Sequence, residues 1–86
     1  MSTFWLSYAD DAGFRGAVII DGADFLGACA ESRRRGLSPG GQVAGVALDF
    51  GIAELIPAEH RNRRLDRREV DLLEAKMDTL TARFAD

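Results

Sequence analysis

Eighty-six residues suit one small domain, near the size at which a single core barely holds a chain together, so oligomerisation is a natural source of further stability. Hydrophobic residues make up 47% and charged residues 29%, the balance of a folded globular protein rather than a disordered one. A net charge of -3 argues against a general binder of polymeric nucleic acid, and no apolar run reaches the roughly 18 residues that cross a bilayer.

The start, Met1-Ser2-Thr3-Phe4-Trp5, lacks the basic-then-apolar order of a signal peptide, and a lone cysteine, Cys29, has no internal partner. A reducing cytoplasm, with no membrane association, is the expectation.

Residues 3–9 alternate, with Phe4, Leu6 and Tyr8 on one face and Trp5, Ser7 and Ala9 on the other, which is the period of a strand. Asp10-Asp11-Ala12-Gly13 supplies turn chemistry, so a hairpin follows. The return strand, 14–20, sets Phe14, Gly16, Val18 and Ile20 on one side and Arg15, Ala17 and Ile19 on the other. Gly16 weakens such a strand unless a bulge or a close neighbour makes use of it.

Asp21-Gly22-Ala23-Asp24 ends the hairpin and offers carboxylates to cap a helix. In that helix Phe25, Ala28, Cys29 and Ser32 recur at i, i+3, i+4 and i+7, a narrow face of small residues that fits close against a sheet. Arg33, Arg34 and Arg35 complement the carbonyl end of its dipole, and Gly36 suits the left-handed stop, with Leu37 folding back. Residues 42–50 form a third strand. Both its faces, Val43, Gly45 and Ala47 against Ala44, Val46 and Leu48, are apolar, so cover is expected on both, from a helix and from a second subunit.

Residues 52–57 read as a connector with apolar anchors. Asp66 as N-cap, Glu69 three residues on, and Leu65 placed to staple against Val70 then announce a second helix. It carries Val70, Leu73, Met77, Leu80 and Phe84 as a seam too short for a free coiled coil, which must pack on the domain or on its twin.

The expected fold is therefore α+β, in the order ββαβα. One domain covers 1–86, with a compact ββαβ core at 3–51, a connector at 52–65 and a C-terminal helix at 66–85. The three-stranded antiparallel sheet has the order 2-1-3 and packs with two helices over one face; a mixed sheet with the third strand beside the second is the alternative.

The stretch 33–43 concentrates the backbone constraints. In Ser38-Pro39-Gly40-Gly41, two glycines let the chain aim its N–H groups at one point, as anion-binding nests do, and the Ser38 hydroxyl adds a donor. The same residues also suffice for a tight turn that aims the third strand, and the lysine and helix start of a P-loop are missing. Ten of the 11 basic residues are arginine, eight of them in two clusters at 33–35 and 61–68, which serve either as solvated helix ends or as a local anion site. Trp5, opposite Phe4, Leu6 and Tyr8, stacks on a base if exposed or fills a subunit interface if not.

Catalysis finds little support. Cys29 lies on the inner face of its helix, where a nucleophilic partnership with His60 requires an exposed thiol. No two Cys or His residues have metal-ligand spacing, and Asp10-Asp11 reads first as a turn. No cofactor or metal is expected.

Phe4-Trp5-Leu6-Ser7-Tyr8, Gly13-Phe14-Arg15-Gly16-Ala17-Val18, Gly36-Leu37-Ser38-Pro39-Gly40-Gly41-Gln42-Val43 and Arg61-Asn62-Arg63-Arg64-Leu65 together resemble a set of small bacterial and phage proteins. The hallmark of that set is a Gly-x-Asn-Pro-Gly-Gly-Glu-Val segment after a helix. This chain has Ser38 where Asn is usual and Gln42 where Glu is usual, which makes the loop friendlier to an anion. Small phage proteins of this kind include sponges that sequester cyclic nucleotide signals of antiviral defence. The resemblance implies a non-enzymatic homo-oligomer that holds a small phosphorylated ligand, such as a cyclic oligonucleotide. Ser38, Pro39, Gly40, Gly41 and Gln42 would surround phosphate, with Arg61, Arg63 or Arg64 closing over it and Trp5 stacking. The alternative expectation is a protein-interaction module, an inhibitor or adaptor, acting through the C-terminal helix or an arginine cluster.

Overall fold

The computed structural model describes residues 1–84, and side chains through Asp78. The hairpin forms where alternation and turn chemistry put it, β1 (Ser2–Asp10) pairing antiparallel with β2 (Gly13–Gly22). Asp10 Oδ1 accepts from the Ala12 N–H at 2.8 Å, and Arg15 Nη1 donates to Asp10 Oδ2 at 2.5 Å, which fastens the turn. The register slips between Tyr8 and Ala9: Tyr8 faces Gly16 while Ala9 faces Phe14. Arg15 is the extra residue of this bulge, and Gly16 accommodates it with a φ of 150°. Plain alternation sets Phe14 beside Val18; the bulge instead turns it to the Trp5 face.

Helix α1 (Phe25–Arg34) begins at Asp24, whose Oδ1 accepts from the Gly27 N–H at 2.7 Å. It ends in a Schellman arrangement, with the Gly36 N–H on Arg33 O at 3.0 Å and the Leu37 N–H on Ser32 O at 2.9 Å, Gly36 at φ 71°. Strand β3 (Gln42–Leu48) follows and pairs antiparallel with β1. A short α2 (Phe50–Glu54), a single 3-10 turn at Ala58–His60 and the two-residue β4 (Arg64–Leu65) lead into α3 (Arg67–Phe84). The Glu69 N–H donates to Asp66 Oδ1 at 2.9 Å and the Asp66 N–H to Glu69 Oε1 at 3.3 Å, the reciprocal cap that the sequence encodes.

The sheet has four strands, not three, in the order β3-β1-β2-β4, with every pairing antiparallel. The expected 2-1-3 order survives inside it. The extra strand comes from the segment read as connector, because two residues are too few to show a period; α2 is likewise a third helix where two were expected, and it takes Phe50 from the expected end of β3, which stops at Leu48. Asn62 adopts φ 59° and donates its N–H to Ile19 O at 2.9 Å, which lays Arg64 and Leu65 alongside β2.

The helices lie on opposite faces rather than on one. Phe4, Leu6, Tyr8, Val18 and Ile20 pack with Ala28 of α1, whereas Trp5, Ala17 and Ile19 pack with Ile56, Leu65, Val70 and Leu73. Both faces of the hairpin are apolar, so leaving either in water forfeits its burial, about 25 cal/mol per Å². α1 sits close because Gly22 has no side chain; a Cβ there would lie 2.6 Å from the Ala28 nitrogen. The seam of α3 is confirmed at Val70, Leu73 and Met77, while Leu80 and Phe84 lie outside the residues whose side chains are described. No helix is long and apolar enough to cross a membrane among the described residues.

Candidate binding groove beside the β3 edge

The expected anion loop is a support for β3. Gly40 and Gly41 have φ of 89° and 84°, and a Cβ on Gly41 would lie 2.5 Å from Ala9 O, so this turn presses the chain directly onto the end of β1. A cleft of about 280 Å³ lies beside it, lined by Ala9, Asp10, Asp11, Gly41 and Gln42. Two carboxylates thus share the space in which phosphate was expected. The Asp10 carboxyl is held below the usual carboxylate range, first by the Arg15 hydrogen bond and then by the Ala12 N–H, so it stays anionic. Ser38 and Pro39 are half-buried and Gln42 is exposed.

The second arginine cluster stands at the other edge of the sheet. β3 and β4 are separated by β1 and β2, about 14 Å at the usual strand spacing, so within one chain the loop and Arg64 do not converge. Arg61 donates to the Ala53 and Ile56 carbonyls and closes the α2 turn. Arg63 donates to Glu59 O at 2.5 Å and pairs with Glu69, which pulls the Glu69 carboxyl down. Arg64 lays its stem over Gly16, where a Cβ would lie 3.0 Å from its Cγ and Cδ. The first cluster is likewise engaged: Arg34 and Arg35 both bond Glu31, holding its carboxyl down at about 2.

Trp5 is 8% exposed and belongs to the core under α3, so its ring is not a free stacking surface. Cys29 packs against the α1 side, where burial pushes its thiol up. His60 stands by α3 instead, its Nδ1 3.8 Å from Glu69 Oε2, so Cys29 and His60 do not meet.

What the residues do assemble is a groove. α3 packs over β2 and β4 and stands off from β3, leaving a trough of about 420 Å³. Trp5 and Leu48 form its floor with Ala44 and Val46, Met77 forms its helix wall, and Glu74 and Asp78 make the rim acidic. Val46 is 59% exposed. Cover on both faces of β3 was expected. Within the single chain α1 supplies the expected helix on the other face, where Phe25 sits over Gly45, and five of the seven strand residues are exposed. β3 is also the last strand of its sheet, so its outer edge meets no strand among the described residues. The signal in the sequence was a strand apolar on both faces, which the expected 2-1-3 order already put at an edge; that α3 would stand off from it was not legible.

The chain matches no protein-family model, no curated protein and no solved structure.

Proposed function

We propose that the chain is a non-catalytic protein-interaction module that takes an extended polypeptide segment along β3, with alternate side chains of that segment over the groove. One observation carries this reading: the outer edge of β3 meets no strand among the described residues and runs beside an apolar trough of about 420 Å³. An open edge presents N–H and C=O groups at the spacing of an incoming strand, and pockets beside it select side chains. Natural edges are usually blunted by charge, proline or a bulge. Gln42-Val43-Ala44-Gly45-Val46-Ala47-Leu48 carries no charge and no proline, and its register with β1 is unbroken.

Photo-cross-linking tests the reading. A photoreactive amino acid in place of Val46 is expected to couple to one extended segment of polypeptide, mapped by mass spectrometry, while the same probe in place of Leu26 on α1 does not. Equal, diffuse labelling from both positions would sink it.

A small phosphorylated ligand, such as a cyclic oligonucleotide held between copies, is the second proposal. The two glycines with positive φ support it; Asp10 and Asp11 beside them, and the remoteness of Arg61, Arg63 and Arg64, weigh against it. Calorimetric titration with cyclic di- and trinucleotides decides: no heat from folded protein ends the proposal, and binding lost in Ser38→Ala sustains it.

A further inference from the structure

Resting on the interaction reading, we infer that the segment which pairs with β3 is β3 of a second copy of this chain, joining two four-stranded sheets through their bare edges. The strand is suited to meet itself. It is uncharged from Gln42 to Leu48, so two copies brought antiparallel place no like charges against each other. Gly45 is its central residue, and a two-fold axis there sets Ala44 opposite Val46 of the second copy and Val43 opposite Ala47 of the second copy. Both of these cross-strand pairs then join a small residue to a β-branched one, and Gln42 lies opposite Leu48 at the ends.

Clearance favours the same arrangement. An axis normal to the sheet keeps both α1 helices on one side and both α3 helices on the other. The groove exists because α3 stands back over β2 and β4, so among the described side chains Glu74, Met77 and Asp78 border the space beside β3 without filling it. On the opposite face Phe25 overlies the strand at Gly45, and Val43 packs into the cluster under α1. Each copy brings the same unpaired edge, and a single isologous contact satisfies both. The joined sheet runs β4-β2-β1-β3 and back in mirror order, which leaves Arg61, Arg63 and Arg64 at its two far ends. This dimer therefore delivers none of these three arginines to the Ser38–Gln42 turn of either copy, and it is independent of the phosphate proposal.

A foreign segment is the competing occupant, and the acidic rim of Glu74 and Asp78 would select one bearing Lys or Arg. Sedimentation of the purified 86-residue chain across a wide concentration range separates the two. The expected result is a species of twice the 9.4 kDa chain mass. Ala44→Glu and Val46→Lys each put like charges diagonally across the axis and raise the dimer Kd by about tenfold or more. The double variant sets opposite charges face to face and restores the dimer. A monomer at every concentration, or a dimer indifferent to all three variants, overturns the inference. If a variant fails to fold by circular dichroism, amide exchange of the unaltered chain decides: protection along β3 must rise with protein concentration, and its absence overturns the inference. A monomer whose Val46 probe still couples to a foreign segment would refute self-pairing and leave the interaction reading standing. Diffuse labelling would refute that reading itself.

Discussion

The Tyr8 hydroxyl donates to Ser32 Oγ at 3.0 Å, across the interface between β1 and α1, and Ser32 is fully buried. This hydrogen bond fixes the rotation of α1 over the sheet, since only one helix face brings a hydroxyl to that point. Ser32→Ala strands the buried tyrosine hydroxyl and is expected to cost about 1–3 kcal/mol. Adding Tyr8→Phe removes the stranded group, so the double variant is destabilised by less than the sum of the singles. Urea denaturation of all four proteins closes the cycle.

The glycines of the turn before β3 differ in what a side chain would meet. At Gly40 a Cβ finds open space, so Gly40→Ala bears only the strain of a positive φ, about 1 kcal/mol. At Gly41 the Cβ would also lie 2.5 Å from Ala9 O. Gly41→Ala is expected to lower the melting temperature distinctly more than Gly40→Ala. Equal effects would show that the turn does not bear on β1.

Two adjacent leucines calibrate the placement of α3. Leu73 is 3% exposed under the helix and Leu72 is 65% exposed on its outer side. Leu73→Ala is expected to cost about 2–5 kcal/mol and Leu72→Ala less than about 0.5 kcal/mol, measured by chemical denaturation.

Glu31 gives a pH test. Hydrogen bonds from Arg34 and then Arg35 lower its carboxyl from 4.5 to about 2. A carboxyl depressed in the folded state contributes stability that is complete above its unfolded value and disappears as pH falls toward about 2. Glu31 is half-buried but its Arg34 and Arg35 partners are exposed, so solvent screens the pairs and the energetic effect is small. Carbon-detected NMR titration is expected to show its midpoint near 2 in the unaltered chain and closer to the ordinary value in Arg34→Gln/Arg35→Gln.

Local chemistry was legible wherever one residue type performs one backbone task. Asp24 and Asp66 cap helices, Gly36 stops one, and Asp10 fastens the hairpin. The binding groove was not legible in that way. Trp5 reads the same on its strand whether a helix covers it or water does, and Arg61 and Arg63 look like ligand groups until their carbonyl and carboxylate partners are folded beside them.

The sequence by itself determined the hairpin, α1, β3, α3 and their caps, because periodicity, capping and turn formation act between residues a few positions apart; the 2-1-3 order was the preferred of two arrangements and the fold selects it. Only the tertiary structure decided that Phe14 crosses to the Trp5 face, that Arg64 and Leu65 add a fourth strand, and that α1 and α3 take opposite faces. Those outcomes follow from burying two apolar faces of one hairpin at once, a condition that no single segment encodes. Covering both faces with the available helices leaves β3 as the strand whose edge and groove side remain open.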